Sequence, residues 1–422
     1  MKRYEHYSLV SNLLTNEIPS HWEMKRNRVF LHPKFISVGQ DASKYSLLSL
    51  TTNGIILRDV ESGKGKFPKD FDSYQVVESN DIVFCLFDVD ETPRTVGLSS
   101  LNGMLTGAYD AFSIADTVNP RFINYYYTAV DDIKALRPYY TGLRKVVKKD
   151  KFMAISIPIP PIEEQEKIVA YLDKKITLIE SCKCQREREL QTLNELKQAE
   201  IASVVTRGLN PNVPLKDSGQ VQFGEIPAHW DSVKMKYCFT QRSEKGFPNE
   251  PVLCATQSKG VIPQSLYENR VVVVNKGFEG LKLVKVGDFV ISLRSFQGGI
   301  EYAYYQGIIS AAYTILTPKD ERNSQYFKYL FKSHPFIQLL QTCVTGIREG
   351  QNINYAVLGN NFIPIPPIEE QNAIVEYIEA KTNSIDRMID ALKAEIDRLT
   401  EYKQRLISDV VTGQLNVQDE TA

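Results

Sequence analysis

No stretch of this chain approaches the run of about 18 apolar residues that a membrane-spanning helix needs. Its first residues, MKRYEHYSLV, hold no apolar signal core, so neither insertion nor export is expected. Cysteine is scarce, with six in 422 residues, and shows no paired framework. Cys182 and Cys184 fall two apart in a helical pattern, misdirected for a bridge, and no histidine stands close enough to complete a zinc spacing. Together these absences predict a reduced, cytoplasmic compartment and no structural metal. A G-x-x-x-x-G-K-[ST] loop is missing, which excludes phosphate-loop ATP chemistry. Also missing are the Gly-rich cofactor loop and the Asn/Asp-Pro-Pro-aromatic motif of an amino-methyltransferase; the Pro-Pro pairs here follow Ile-Pro and precede Ile. No catalytic residues and no cofactor are expected. Finally, charge of one sign is not in excess. A net charge of −1 argues against nucleic-acid binding by bulk charge.

What the chain does have is repetition. Residues 157–172 read IPIPPIEEQEKIVAYL and residues 363–378 read IPIPPIEEQNAIVEYI, identical at 12 of 16 positions. Shorter echoes run through the rest. Ile18–Trp22 (IPSHW) returns as Ile226–Trp230 (IPAHW), Asn53–Ile56 as Lys259–Ile262, and Asn80–Val83 as Gly287–Val290. Gly107–Tyr109 pairs with Ala311–Tyr313, Thr141–Arg144 (TGLR) with Thr345–Arg348 (TGIR), and Val204–Thr206 with Val410–Thr412. The order is A-B-A′-B′, in which the A segments diverge and the B segments are shared.

Each B segment carries helix signals. Pro158, Pro160 and Pro161 hold the backbone extended up to the first turn, and Glu163 and Glu164 oppose the positive end of the helix dipole. In the second copy Val375, Ile378, Ile385, Ile389, Leu392, Ile396, Leu399, Leu406 and Val410 form a seam that only Thr382 and Lys403 interrupt. The first copy, from Val169 to Val204, is interrupted at Lys183, Arg186, Lys197 and Glu200. Alternating steps of three and four make a coiled-coil seam, so the two helices are expected to pair with each other. Connectivity favours an antiparallel pair with pseudo-two-fold symmetry, one head at each end, and the C-terminus returning to the N-terminal head. A parallel pair would force the second A segment to run back along the whole helix. Roughly 44 residues at ~1.5 Å each give a rod of about 66 Å.

The expected boundaries are a first head at 1–157, a helix at 158–207, a second head at 208–362, a second helix at 363–415 and a tail at 416–422. Each head reads as α+β. Short β-rich runs such as 81–87, 271–274 and 288–293 precede helical stretches at 120–134 and 324–340. Charge divides with the repeat. The heads carry 20 basic against 18 acidic and 16 against 12 side chains, the helical segments 8 against 9 and 6 against 12. Positive charge therefore belongs to the divergent segments and negative charge to the shared ones.

This layout, with its two IPIPPIEEQ helix starts and two Ile-Pro-x-His-Trp segments, resembles the specificity subunit of type I restriction-modification systems over essentially the whole chain. The resemblance implies two α+β target-recognition domains joined by two long antiparallel coiled-coil helices. Each domain would read one half of an asymmetric bipartite site on double-stranded DNA. The helices would set the half-site spacing, counted in turns of about 34 Å, and dock two methyltransferase (modification) subunits. Those subunits would bring S-adenosylmethionine, and restriction/translocase subunits, where present, ATP and Mg²⁺. The chain itself would be non-catalytic.

Arg, Lys, Asn, Gln, Ser and Thr contact base edges and phosphates, and loops rich in them supply the candidates. In the first head these are Lys64, Lys66 and Lys69, Arg94, and Arg144, Lys145, Lys148 and Lys149. In the second they are Lys259, then Arg294, Ser295 and Gln297, then Arg348, Gln351 and Asn352. Arg144 and Arg348 occupy equivalent places in the two Thr-Gly-x-Arg elements. The His-Trp pairs read as packed tryptophans, Tyr125–Tyr127 as core, and the paired glutamates as helix-start electrostatics. The competing reading is a coiled-coil scaffold that presents two protein-binding modules and touches no DNA, to which the near-neutral charge lends weight.

Overall fold

The computed structural model describes residues 2–58, 71, 73–267, 277–320, 324–346 and 352–419. The chain divides into two compact units, residues 1–186 with 394–422 and residues 187–393. The two long helices, Ile162–Arg207 and Ile368–Val411, run through this division. Each unit thus owns one head, the start of one long helix and the end of the other.

In the first unit, strands Leu31–Lys34, Asp110–Ile114, Ile82–Phe84 and Val96–Leu98 form a four-stranded antiparallel sheet in that order. Phe112 faces Pro33 on one side and Ile82 on the other. Phe84 sits among Phe112, Tyr127 and Phe152 with ring centroids 4.8 to 5.8 Å apart. The helix over this sheet, Pro120–Asp132, starts where its sequence says it should: Asn119 caps it, accepting from the Arg121 and Phe122 amides, and proline follows. Tyr126 and Tyr127 are fully buried, as a core reading of that tyrosine run expects. The same core continues into Ile168, Leu172 and Ile179 of the first long helix and Leu406, Ile407 and Val410 of the second. At about 1.5–3 kcal/mol for each fully buried aliphatic side chain, the helices complete the head and are not appended to it.

The second unit builds the same sheet from different residues. Strands Phe239–Arg242, Thr314–Pro318, Phe289–Ile291 and Glu301–Tyr302 lie in the corresponding order. Its aromatic centre is Phe239, Phe289, Phe327 and Phe331. The single helical stretch expected at 324–340 is two helices, Ser324–Leu330 and His334–Thr342. Pro335, at the start of the second, has no amide to continue the first. The strand expected at 271–274 falls outside the described residues.

Two details show how divergent sequences keep one fold. Asn80 (φ +71°) and Gly287 (φ +92°) take the same left-handed turn position, which asparagine and glycine tolerate. The next residue is a buried aspartate in both heads. Asp81 accepts from the Glu78 amide and lies 2.8 Å from Lys34 Nζ. Asp288 accepts from the Lys285 amide and lies 2.9 Å from Arg242 Nε.

The IPIP segments are strands of the heads. Ser156–Ile159 pairs antiparallel with Glu23–Arg26, and Phe362–Ile365 with Asp231–Lys234. These are two-stranded pairs, where a proline's missing donor is tolerated, and the helices begin three residues later.

Candidate nucleic-acid interface

The repeated His-Trp element does more than fill space. In the first unit the Trp22 indole N–H donates to Glu164 Oε1 at 3.0 Å, and His21 Nε2 lies 2.8 Å from Oε2. Glu164 also accepts from the Tyr4 hydroxyl. In the second unit the Trp230 indole N–H donates to Glu370 Oε2 at 2.9 Å, and His229 Nε2 lies 2.8 Å from the same oxygen. Each tryptophan also meets the end of the other helix. A Cβ added at Gly413 (φ +72°) would lie 3.2 Å from Trp22, and one at Gly208 (φ +73°) 3.2 Å from Trp230. One indole therefore ties the start of one long helix to the end of the other, which requires them to run antiparallel. The C-terminal segment also returns to the first head, with the Tyr7 hydroxyl donating to the Gly413 carbonyl and the Asn416 amide to that of Lys2.

Four of the polar interruptions of the seam, Lys403, Arg186, Lys197 and Glu200, are members of cross-helix ion pairs. Lys403 Nζ lies 2.6 Å from Glu180 and Arg186 Nε 3.1 Å from Glu395 in the first unit. Lys197 Nζ lies 2.6 Å from Asp386, and Lys381 4.0 Å from Glu200, in the second. Within each unit the partner number falls as the first helix's number rises. The bond from Lys403, ahead of burial, holds the Glu180 carboxyl below its ordinary range. Charged groups at a seam specify register and orientation more than they add stability.

Among the described residues, the cations singled out in the sequence are spread over several separate elements. Arg144, Lys145, Lys148 and Lys149 run through the hairpin Tyr140–Thr141/Val146–Val147 and into the helix Lys149–Ala154. Arg144 reaches Asp88 at 2.9 Å and lies over the Phe87 ring, its side chain 70% exposed. Hydrogen bonding to Asp88 raises its pKa further. Lys145 lies 3.2 Å from Asp90, and Lys149 3.1 Å from Asp110. The bond from Arg137 holds the Asp90 carboxyl low; burial opposes it, and Lys145 and Tyr140 add to the lowering. Lys148 is exposed with no ion pair among the described residues.

Arg94 is mostly buried, 3.1 Å from Asp131 and 2.9 Å from Asp132. In the second head Arg294 and Gln297 are exposed on a short turn of helix, Ser295–Gly298. Ser295 is buried and its hydroxyl accepts from the Ser292 amide, so its role there is to close the turn. Asn352 is exposed in the strand pair with Val344–Thr345. Lys259 lies at the hairpin turn before Gly260. Lys64, Lys66, Lys69, Arg348 and Gln351 lie outside the described residues.

Besides Arg94 and Lys259, which the sequence singles out, cations of the long helices and of the segments over the sheets line two clefts. Lys183 and Lys403, with Arg94 and Arg121, line a cleft in the first unit. Lys197, Lys259, Lys328 and Lys332 line one in the second. The signal was present in the seam interruptions, but periodicity marks them only as defects in an apolar stripe.

An α+β head clamped to a pair of antiparallel helices, and built twice in one chain, defines a duplicated, two-headed class of protein. The chain belongs to the type I restriction modification DNA specificity domain family, which matches residues 95–192 and 227–398. It is 25% identical over 284 residues to the putative type I restriction enzyme MjaX specificity subunit of Methanocaldococcus jannaschii, covering 64% of this chain and 62% of that protein. To the MjaVIII specificity subunit of the same organism it is 28% identical over 296 residues, covering 66% of each. These matched stretches span just under two-thirds of the relatives' lengths. A chain in a solved structure concerning complex assembly and conformational transition of the type I R-M system shares the fold. Its TM-score is 0.65 at 17% identity, over 94% of this chain and 99% of that one.

Proposed function

We propose that this chain is the sequence-reading subunit of a type I restriction-modification complex. Each head reads one half of a bipartite site on duplex DNA, and the long helices dock two methyltransferase subunits. The chain supplies the choice of sequence, and its partners supply the chemistry. One observation carries the reading: two heads share a sheet order but differ in exposed residues, while the helix starts that join them are nearly identical. Equal helix starts suit two copies of one partner, and unlike heads suit two unlike half-sites. Arg144, Lys148, Arg294, Gln297 and Asn352 are the exposed candidates for base or phosphate contact among the described residues, and Lys64, Lys66, Lys69, Arg348 and Gln351 remain candidates by sequence.

The test is to express the chain with its modification partner and map methylated adenines by long-read sequencing. An asymmetric two-part motif with a fixed spacer is expected, together with a native mass that fits two modification subunits. Salt-dependent DNA binding without sequence preference would defeat the reading. Complete absence of DNA binding by the assembled complex would favour the scaffold instead.

A further inference from the structure

Each unit holds an open cleft at the same place in its fold, between the head and the long helices. In the first unit it has a volume of about 970 Å³, in the second about 610 Å³. One wall is a hairpin turn, at Thr52–Gly54 and at Gln257–Gly260. Another is the helix over the sheet, through Arg121 and Tyr125 or through Lys328 and Tyr329. The third is a long helix, which contributes Lys403, Gln404 and Ile407 in one unit and Lys197, Gln198 and Ile201 in the other. These triplets occupy matching positions of the repeat.

The charge lining both clefts is positive. Arg94, Arg121, Lys183 and Lys403 face two carboxylates, Asp132 and Glu180, in the first. Lys197, Lys259, Lys328 and Lys332 face only Glu301 in the second. Lys183 has no ion pair among the described residues, and Lys328 rests over the rings of Tyr304 and Tyr329, both at 5.3 Å. Between the cations stand neutral donors, Asn53, Asn124 and Gln404 in the first cleft and Gln198 and Gln257 in the second. The helix segments carry net negative charge as a whole, yet the face they turn into these clefts is cationic. Cations interleaved with neutral donors, on a surface too shallow to swallow a duplex, suit one ridge of phosphodiester backbone.

We propose that each cleft is a phosphate-backbone contact of the DNA duplex, made jointly by head and helix, so that the helices touch DNA as well as their protein partners. This rests on the sequence-reading function above. The base-reading surface lies elsewhere on each head, and the cleft positions the duplex without selecting sequence.

The experiment uses the full complex of this chain with its methyltransferase partner. Binding to its own methylation site and to a scrambled duplex is measured across salt concentrations. Lys183→Gln and Lys328→Gln are compared with the parent, with thermal unfolding as the check on folding. Each Gln variant should weaken both duplexes alike, leave the preference between them unchanged, and reduce the slope of log K against log salt by about one. Lys183→Arg and Lys328→Arg should restore the slope. An unchanged slope in well-folded Gln variants would overturn the proposal while leaving sequence reading intact. So would loss of methyltransferase binding at an unchanged slope, which would assign the clefts to an acidic protein segment. If the parent complex shows no sequence preference, the sequence-reading function fails; a slope change in the variants then still supports the phosphate contact.

Discussion

At the scale of single residues, Trp22 and Trp230 show how much one buried side chain can organise. Each indole donates to a glutamate at a helix start and packs against a glycine at a helix end. The helix dipole accounts for acidic residues at each helix start, and the indole gives the second carboxylate of each pair a specific partner. Glu301 is a buried carboxyl whose ionisation bears on stability. Burial pushes its carboxyl up to about 7 from an ordinary 4.5, and Lys332 offsets only part of that. The folded chain therefore holds a proton between those values that the unfolded chain has released. The resulting stability is complete below about pH 4.5 and is lost as pH rises towards 7. Urea unfolding at pH 5 and pH 8 should show the second unit weaker at the higher pH. Glu301→Gln should flatten that difference, and an equal slope in the variant would mean another group is responsible.

At the scale of elements, the long helices pair through an apolar seam in which four of the gaps are members of ion pairs. Those pairs are partly exposed, so each contributes no more than about 1 kcal/mol. Their consequence is orientation: Lys403 meets Glu180 only if the helices run antiparallel in this register. Glu180→Lys and Lys403→Glu should each lower stability by about 0.5–1 kcal/mol. The double exchange should recover most of the loss, giving a measurable coupling in a double-mutant cycle. A double variant no better than the sum of its parts would remove the pair from any register-setting role. The cysteines on the first helix, Cys182 and Cys184, are exposed and free, consistent with residues two apart on a helix.

At the scale of the whole molecule, the shared helices and unlike heads lead to a prediction about spacing. Seven residues inserted in each long helix, where Arg186 faces Glu395, preserve the seam because seven is its repeat. The methylated motif should then gain spacer length and keep both half-sites. Altered half-sites at an unchanged spacer would show that the helices do not measure. Architecture was legible in the sequence at this scale because a coiled-coil seam and a duplicated helix start are local patterns that chain connectivity orders. The site was legible only in part. The repeat singles out Arg144 by position only, and the structure shows it in contact with Asp88 and Phe87. Ser295 looked like a base reader by residue type, but its hydroxyl is taken up inside its own turn.

The duplication, the antiparallel helices, the α+β heads and the helix starts are written in the order of residues. Each of these follows from short-range periodicity, proline and capping chemistry, or connectivity. That the IPIP segments are strands of the heads, and that each tryptophan joins the ends of two helices, emerges only when the chain is folded. Folding alone turned the lysines interrupting the seam into ion pairs and cleft walls. Those facts depend on which distant side chains meet: Glu164 and Trp22 are brought to 3.0 Å across 142 positions of sequence, and no local pattern encodes that distance.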